Sequence, residues 1–206
     1  MKVTAIEHMP HNPGMYRVSI DNKPLGYLTA DDVLSLSLTR GSEISTAGYA
    51  QLVSRIKYAA FYTSALRHAD RRLRSQAEVK SYLRSRGCDL QTATSIIKEL
   101  TRLGIIDESK LAEAYVHDSE ILKPLSRKML ALKLKQKQID PELINSTIVA
   151  SGYDDAQALD KLISLRRGRY GGNRARFFRY LLRQGFSYPE IEKRIGRPPS
   201  NFGRFK

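Results

Sequence analysis

Apolar residues recur along this chain in three copies of one pattern, spaced about fifty residues apart. In the first copy Val79 and Leu83 have the spacing that places two side chains on one face of a helix, and Gly87 follows. Shifts of 51 and 98 residues align Leu130 and Phe177 with Val79, together with the apolar positions around them. A repeat of this length indicates one supersecondary unit that buries its apolar face against its neighbours. We therefore predict three tandem three-helix repeats in an elongated array.

The ends of the predicted helices carry capping residues. Ser75 and Glu78 have the spacing of a capping box, in which a hydroxyl and a carboxylate each bond a backbone amide at the helix start. Gly87 can adopt the left-handed backbone that ends a helix. The middle copy departs from this pattern, because Met129 replaces the glutamate and Gln138 replaces the glycine. We expect its middle helix to begin and end less firmly.

The first fifty residues have a different pattern, typical of short strands. The β-prone runs lie at 2–8, 15–20 and 25–28. A turn at 21–23 separates the second run from the third, which favours a small meander or hairpin. A short helix is expected to follow from Thr29 through Leu38 and to end at Gly41.

These patterns predict a mainly α protein with a small β-containing N-terminal segment. The last residues are polar and broken by proline, so we expect only a flexible tail there. The predicted segments are a leader at 1–50, repeats at 51–106, 107–153 and 154–197, and the tail at 198–206.

Positive charge is concentrated in two parts of the chain. The sequence holds 35 lysines and arginines against 21 acidic residues, a net charge of +14. The net charge is −1 over 1–50, +7 over 51–106, 0 over 107–153 and +8 over 154–206. Such an excess favours a polyanionic partner, because lysine and arginine release counterions when they neutralise phosphates. A soluble basic protein without a polyanionic partner would show the same net charge.

Cysteine usage and hydropathy indicate the compartment. Cys88 is the single cysteine, so no intramolecular disulfide can form, and its alignment with Ile139 and Phe186 predicts a buried hydrophobic residue. The N-terminal residues lack the apolar core of a signal peptide, and no apolar run approaches the length of a membrane span. We expect a cytoplasmic monomer that does not bind membranes.

Catalytic chemistry finds little support in the sequence. The histidines are scattered, no Cys or His cluster has metal-ligand spacing, and no glycine-rich phosphate loop follows a strand. The Gly171-Gly172 pair, flanked by arginines, is interpreted as a simple turn. We therefore expect no enzymatic activity, no catalytic residue, no metal site and no cofactor.

Arginine clusters are the only groups of residues that point to a function. They precede and continue along the middle helices of the first and third repeats, where planar guanidinium groups suit phosphate or carboxylate recognition. The candidate DNA-binding or filament-binding residues are Arg71, Arg72, Arg74, Lys80, Arg84, Arg166, Arg167, Arg169, Arg174, Arg176, Arg179 and Arg183. The alternative is an ordinary solvated helix face. Tyr170 and Phe178 lie among these arginines and are candidates for base stacking.

Several of these segments resemble the RecX family of recombination regulators. The resemblance is carried by Leu-Gly-Ile-Ile-Asp at 103–107, by the segment from Ser75 to Gly87, and by Tyr-Leu-Leu-Arg-Gln-Gly-Phe-Ser at 180–187. The run Tyr-Leu-Thr-Ala-Asp-Asp-Val-Leu at 27–34 is similar to the leader of some longer members. Each motif is loose, but their order and spacing across three repeats make the resemblance specific.

The resemblance implies a curved, basic-faced body that binds the RecA recombinase and its filament on single- or double-stranded DNA. It also implies a protein that lodges along the filament groove and suppresses ATP hydrolysis and strand exchange in recombination and the SOS response. Two other classes stay open from the residues alone. One is a sequence-nonspecific nucleic-acid-binding protein without a recombinase client, and the other is an adaptor whose arginines meet an acidic protein surface.

Overall fold

The structure is a computed structural model that describes residues 1–10 and 14–197, and it confirms a mainly helical fold behind a small sheet. The strands are β1 Val3–His8, β2 Met15–Ile20 and β3 Lys23–Thr29. The helices are α1 Ala30–Ser35, α2 Thr46–Asp70, α3 Gln76–Ser85, α4 Leu90–Arg102, α5 Glu108–Ile121, α6 Arg127–Gln136, α7 Pro141–Ala150, α8 Asp155–Arg166, a 3-10 helix Arg167–Tyr170, α9 Arg174–Arg183 and α10 Tyr188–Ile195. Among the described residues no helix is long and apolar enough to cross a bilayer. The predicted tail at 198–206 lies outside the described residues.

The leader folds as an antiparallel sheet in the order β1-β2-β3. Asp21 and Asn22 form the turn between β2 and β3 with positive φ angles of 47° and 63°, which these two residue types tolerate better than most. Thr29 caps α1, because its hydroxyl oxygen accepts a hydrogen bond from the Asp32 amide at 3.1 Å. Asp32 in turn accepts a bond from the Thr29 amide at 3.3 Å, which completes a capping box.

The end of α1 differs from the expectation that the helix continues to Gly41. Ser37 adopts left-handed backbone with a φ of 50°. Its amide bonds the Leu34 carbonyl at 2.9 Å, and the Leu38 amide bonds the Val33 carbonyl at 3.0 Å. This pair of bonds is a Schellman motif, which ends the helix before the glycine is reached. The predicted end was wrong because serine here takes the position that glycine usually fills.

One long helix, α2, contributes to two hydrophobic cores. Near its start Leu52 is buried in one core with Leu28 of β3. Gly26 lets β3 approach the helix closely, because a Cβ there would lie 2.3 Å from Ile56 Cγ2. Near the end of α2, Ala65 is buried in a second core with residues of α3 and α4. The leader and the first three-helix group are therefore built on one continuous helix.

The middle helices of the three predicted repeats begin and end at equivalent positions. The helices α3, α6 and α9 each contain 10 residues, and their starts are separated by the predicted shifts. The residues immediately before them are Ser75, Ser126 and Asn173. The left-handed residues after them are Gly87, Gln138 and Gly185, with φ angles of 83°, 59° and 91°. The three helices therefore start at the predicted shifts of 51 and 98 residues, and Gln138 takes the glycine conformation despite its side chain.

The chain divides into two compact units. The first contains Met1–Arg72 and Val79–Ile106, and the second contains Leu73–Glu78 and the described residues from Asp107 onward. The first unit holds the two cores that share α2. The second unit holds one continuous core to which helices α5 to α10 all contribute. The boundaries of the individual repeats stay a prediction.

Within the second unit one hydrogen-bonded contact occurs twice. The amide of Gln76, the first residue of α3, donates to Glu108 Oε1 at 3.0 Å. The amide of Arg127, the first residue of α6, donates to Asp155 Oδ1 at 2.6 Å. Glu108 and Asp155 are themselves the first residues of α5 and α8. Each carboxylate therefore satisfies an unpaired amide of one helix while lying at the positive end of the next.

Cys88 is a core residue, as its alignment with apolar positions predicted. It is 5% exposed and packs in the core formed by α2, α3 and α4. Burial raises the pKa of its thiol above the ordinary value, because an apolar surrounding disfavours the thiolate. The side chain therefore contributes packing rather than reactivity.

Candidate nucleic-acid interface

Helix α9 has one apolar face and one basic face. Asn173 caps its start, because Oδ1 of this residue accepts a hydrogen bond from the Arg176 amide at 3.0 Å. Phe177, Phe178 and Leu181 lie on the inward face and are at most 4% exposed. This buried face fixes the direction in which the opposite side of the helix points.

The outward side of α9 carries a row of arginines. Arg176, Arg179 and Arg183 are exposed and lie three and four positions apart, so their side chains project from one side of the helix. Arg174, the first residue of the helix, is exposed as well. Within the described part of the chain, no carboxylate forms an ion pair with Arg174, Arg176 or Arg183. We call these four residues the α9 arginine row.

The three arginines before α9 differ in their accessibility. Arg167 and Arg169 are exposed on the 3-10 helix. Arg166, at the end of α8, is half-buried, and its Nε atom has no hydrogen-bond partner among the described residues. Arg167 and Arg174 line a cavity of about 200 Å³ that also contacts Tyr170. Arg167 and Arg169 thus add exposed positive charge near the start of α9, and Arg166 adds less.

Two aromatic residues were candidates for base stacking, and the prediction was wrong for Phe178. Phe178 is 0% exposed, and its ring centroid lies 4.8 Å from that of Tyr188 in the core. It cannot reach a base, because α9 turns this side chain inward beside Phe177. Tyr170 is half-buried, with its ring centroid 4.9 Å from that of Phe177 and 5.4 Å from that of Tyr180. Tyr170 stays the stacking candidate of this surface.

One nearby cation is held by internal partners. Arg194 of α10 donates from Nε to Asp160 Oδ1 of α8 at 2.6 Å, and its side chain is 17% exposed. The hydrogen bond to Asp160, together with one to Glu190, raises the pKa of this guanidinium. Arg194 therefore joins two helices and is not part of the exposed basic surface.

The first predicted cluster contains four exposed residues. Arg71 and Arg72 are exposed where α2 ends. Lys80 and Arg84 are exposed on α3, four positions apart, and the apolar face of that helix is buried through Val79 and Leu83. The structure therefore places these four cations on accessible surface, as predicted, although their contacts with any partner are untested.

Arg74, the fifth member of that cluster, is largely enclosed. Its side chain is 17% exposed, and Nη1 lies 4.0 Å from Glu78 Oε1. The same Glu78 oxygen accepts a hydrogen bond from Lys137 Nζ at 2.9 Å. Lys137 also lies 5.4 Å from the centroid of the Tyr115 ring, a cation–π distance. The charge of Arg74 is thus partly compensated inside the protein, which makes it the weakest candidate for a phosphate contact.

Known proteins resemble this chain in sequence and in fold. The family model for the RecX first three-helix domain matches residues 62–100. A regulatory protein RecX from Streptococcus gordonii is 24% identical over 198 residues, which cover 93% of this chain and 75% of that protein. A regulatory protein RecX from Leuconostoc citreum is 25% identical over 147 residues, 69% of this chain and 53% of that protein.

Solved structures of RecX proteins also match the fold of this chain. A crystal structure of a regulatory protein RecX matches with a TM-score of 0.71 at 21% identity, over 94% of this chain and 98% of that one. The structure of RecX from Lactobacillus salivarius matches with a TM-score of 0.53 at 26% identity, over 66% of this chain and 92% of that one. Residues 62–100 thus match the RecX first three-helix domain, and nearly the whole chain is similar to regulatory protein RecX in sequence and fold.

The RecX match lies within the predicted first repeat and covers the end of α2, all of α3 and most of α4. Both RecX relatives are named regulatory proteins, which agrees with a regulatory role. Across residues 1–10 and 14–197, no group of three or more His, Cys, Asp or Glu residues could hold a metal ion.

A second basic surface lies in the first unit, and of its three arginines sequence reasoning named only Arg71. A groove of about 700 Å³ is lined by Arg67, Arg71 and Arg86 together with apolar side chains that include Met15 and Ile56. The i, i+4 spacing of Arg67 and Arg71 on α2 was a signal available from the sequence. The position of Arg86 was not, because it depends on how α3 folds back on α2. We call this surface the arginine groove.

Proposed function

We propose that this chain is a RecX-type protein, a non-enzymatic regulator that binds the RecA recombinase and its filament on DNA and lowers ATP hydrolysis and strand exchange. The observation that supports it is the α9 arginine row, considered together with the similarity to regulatory protein RecX. The row presents exposed guanidinium groups on a helix whose opposite face is buried. Such a helix fixes the backbone positions from which its cations project before a partner arrives.

The α9 arginine row suits a phosphate backbone. From Arg176 to Arg183 the helix rises by about 10 Å, so the row can follow a line of negative charge. Guanidinium groups bind phosphate oxygens through two parallel hydrogen bonds, which lysine cannot do. Each neutralised phosphate also releases condensed counterions, which favours binding. We assign the DNA of the filament as the partner of this row.

The test of this function uses purified RecA, single-stranded DNA and ATP. The parent protein, added at amounts well below those of RecA, should slow both ATP hydrolysis and strand exchange. Replacing all four residues of the α9 arginine row by alanine should raise the concentration needed for half inhibition by about tenfold or more, since charge-assisted contacts are lost. Unchanged ATP hydrolysis at equimolar parent protein would overturn the RecA proposal.

A matched control separates the position of the charges from their number. Alanine replacements of the exposed lysines Lys123, Lys128, Lys133 and Lys135 remove the same charge from the second unit without touching α9. This variant should inhibit nearly as well as the parent. An equal loss of inhibition in both variants would show that total charge, and not the row, determines binding.

A sequence-nonspecific nucleic-acid-binding protein is the second candidate, favoured by the net charge of +14. Co-sedimentation with free DNA, with RecA alone and with the assembled filament distinguishes the candidates. Preference for the filament supports the proposed function, and equal binding to free DNA supports the second candidate. Binding to RecA alone that equals binding to the filament, with no binding to free DNA, would instead indicate an adaptor that recognises an acidic protein surface.

A further inference from the structure

The arginine groove has one basic wall and one apolar wall. Its volume of about 700 Å³ lies within the range of cavities that enclose most of a bound ligand. The basic wall contains Arg67, Arg71 and Arg86, all of them exposed. The apolar wall is formed by side chains of the leader and of α2, namely Met9, Met15, Ile56, Ala59 and Ala60. An occupant must therefore combine negative charge with apolar groups.

The positive charge of this groove is not compensated by the protein. Among the described residues that line it there is no aspartate or glutamate. No described carboxylate forms an ion pair with Arg67, Arg71 or Arg86. Complementary charge is the usual condition for selective association, so this wall favours an anionic partner.

Two tyrosines line the groove, and one of them, Tyr82, already stacks on groups of the protein. The Tyr82 ring stacks on His68 with centroids 3.8 Å apart and planes at 3°. The guanidinium carbon of Arg86 lies 4.8 Å from the centroid of the same ring. Ser64 Oγ and the Tyr82 hydroxyl are hydrogen-bonded at 2.8 Å. Base stacking, a main source of affinity for single-stranded nucleic acid, is therefore not available on Tyr82 and is left to Tyr27, which is 46% exposed.

The apolar wall suits side chains of a peptide. Methionine is unbranched and polarisable, so Met9 and Met15 can adapt to apolar side chains of different shapes. Carboxylates on either side of such a side chain would meet guanidinium groups in bidentate geometry. We propose that the arginine groove binds an acidic peptide segment of a protein partner, with carboxylates on Arg67, Arg71 and Arg86 and an apolar side chain against Met15 and Ile56.

The groove lies in the first compact unit and the α9 arginine row lies in the second. The peptide proposal therefore does not depend on the proposed function, and either can fail without the other.

The experiment measures fluorescence anisotropy of labelled probes with the full-length protein. A peptide with the repeated sequence Glu-Glu-Leu should bind, and a Lys-Lys-Leu peptide of the same length should not. A Glu-Glu-Ser peptide, which keeps the charge and loses the apolar side chains, should bind about tenfold more weakly, since each buried leucine contributes to affinity. Equal binding of the leucine and serine peptides would overturn the assignment of the apolar wall.

Three variants locate the site. Arg67→Ala with Arg86→Ala should weaken binding of the Glu-Glu-Leu peptide by about tenfold or more. Lys57→Ala with Lys98→Ala removes two exposed charges from the same unit but none from the groove, and should bind as the parent does. Arg67→Ala alone repeats the test with a minimal change. Equal loss in the groove and control variants would overturn the proposal.

A nucleic-acid probe tests the alternative that the groove binds nucleic acid. Labelled oligothymidylate is titrated against the same variants. If the groove variant lost oligothymidylate binding while no acidic peptide bound the parent protein, the groove would be a nucleic-acid site and the peptide proposal would be wrong. Oligothymidylate binding that is unaffected by the groove variant supports the peptide assignment.

Discussion

Gln138 occupies a backbone position that glycine fills in the other two repeats. Its φ of 59° lies in the left-handed region, where an L side chain costs about 1 kcal/mol. Gln138→Gly should relieve that strain, partly offset by the greater freedom of glycine in the unfolded chain. We expect the free energy of unfolding to rise by about 0.5 kcal/mol, measured by urea denaturation.

Gly87→Gln is the reciprocal control. A Cβ at Gly87 would meet no atom within 4 Å, so its expected loss of about 1 kcal/mol would reflect backbone conformation alone. Gly185 is less suitable, because a Cβ there would lie 2.2 Å from Ser126 Oγ and 2.9 Å from Met129 Cβ. A destabilised Gln138→Gly variant would contradict the explanation from backbone strain.

Three equivalent core residues test the register of the repeats. Val79 and Leu130 are 0% exposed and Phe177 is 4% exposed. Truncation of each to alanine should lower the free energy of unfolding by about 2 to 5 kcal/mol, with Val79 at the lower end, because a cavity adds to the lost burial. Thermal and urea denaturation measure the effect. Parent-like melting of all three variants would show that the proposed register is not the one that packs.

At the scale of the helix, the α9 arginine row should be visible in the salt dependence of binding. The logarithm of affinity for single-stranded DNA should fall with the logarithm of salt concentration by about 0.7 for each neutralised phosphate. Alanine at all four positions of the row should make that slope shallower. Anisotropy titrations of oligothymidylate at several salt concentrations measure it. The same slope in the parent and the four-arginine variant would exclude this face as a DNA contact.

The start of most helices and the α9 arginine row could be predicted because their causes are local in sequence. A cap such as Asn173 and a row at i, i+3 and i+7 depend on residues within two helical turns. The pairing of Arg74 with Glu78 is also local, at i, i+4, whereas the contact of Lys137 with Glu78 could not be predicted, because these two residues are 59 positions apart. The inward direction of Phe178 depends likewise on its packing against Tyr188 of the next helix.

At the scale of the whole molecule, a truncated chain tests whether both basic parts are needed. The segments with net charges of +7 and +8 are separated by a neutral one. Linked binding modules gain affinity only while both engage. A chain ending at Tyr153 should therefore bind the filament about a hundredfold more weakly than the parent. Co-sedimentation measures binding, and circular dichroism checks that the truncated chain keeps a helical content sufficient to include α2 to α4.

The structure determines which residue should be the last one of the truncated chain. Tyr153 must be kept, because it is 2% exposed and its hydroxyl donates to the Leu125 carbonyl at 2.7 Å. The continuous core of the second unit will still lose partners from α8 to α10. The four-arginine variant in the intact chain therefore serves as the second measurement. A folded truncated protein that inhibited RecA at the concentration of the parent would rule out the two-ended mode of binding.

Because two cores share α2, the number of residues between them sets the angle at which one core lies around the helix axis relative to the other. Each residue advances a helix by about 1.5 Å and turns it by about 100°. One residue inserted between Leu52 and Ala65 would therefore rotate the sheet around the helix axis relative to α3 and α4, even if each core kept its own contacts. Met15 and Arg86 would then no longer face the same groove. A single-residue insertion or deletion between Leu52 and Ala65 would thus disrupt the groove through geometry, even where the stability of either core is unchanged.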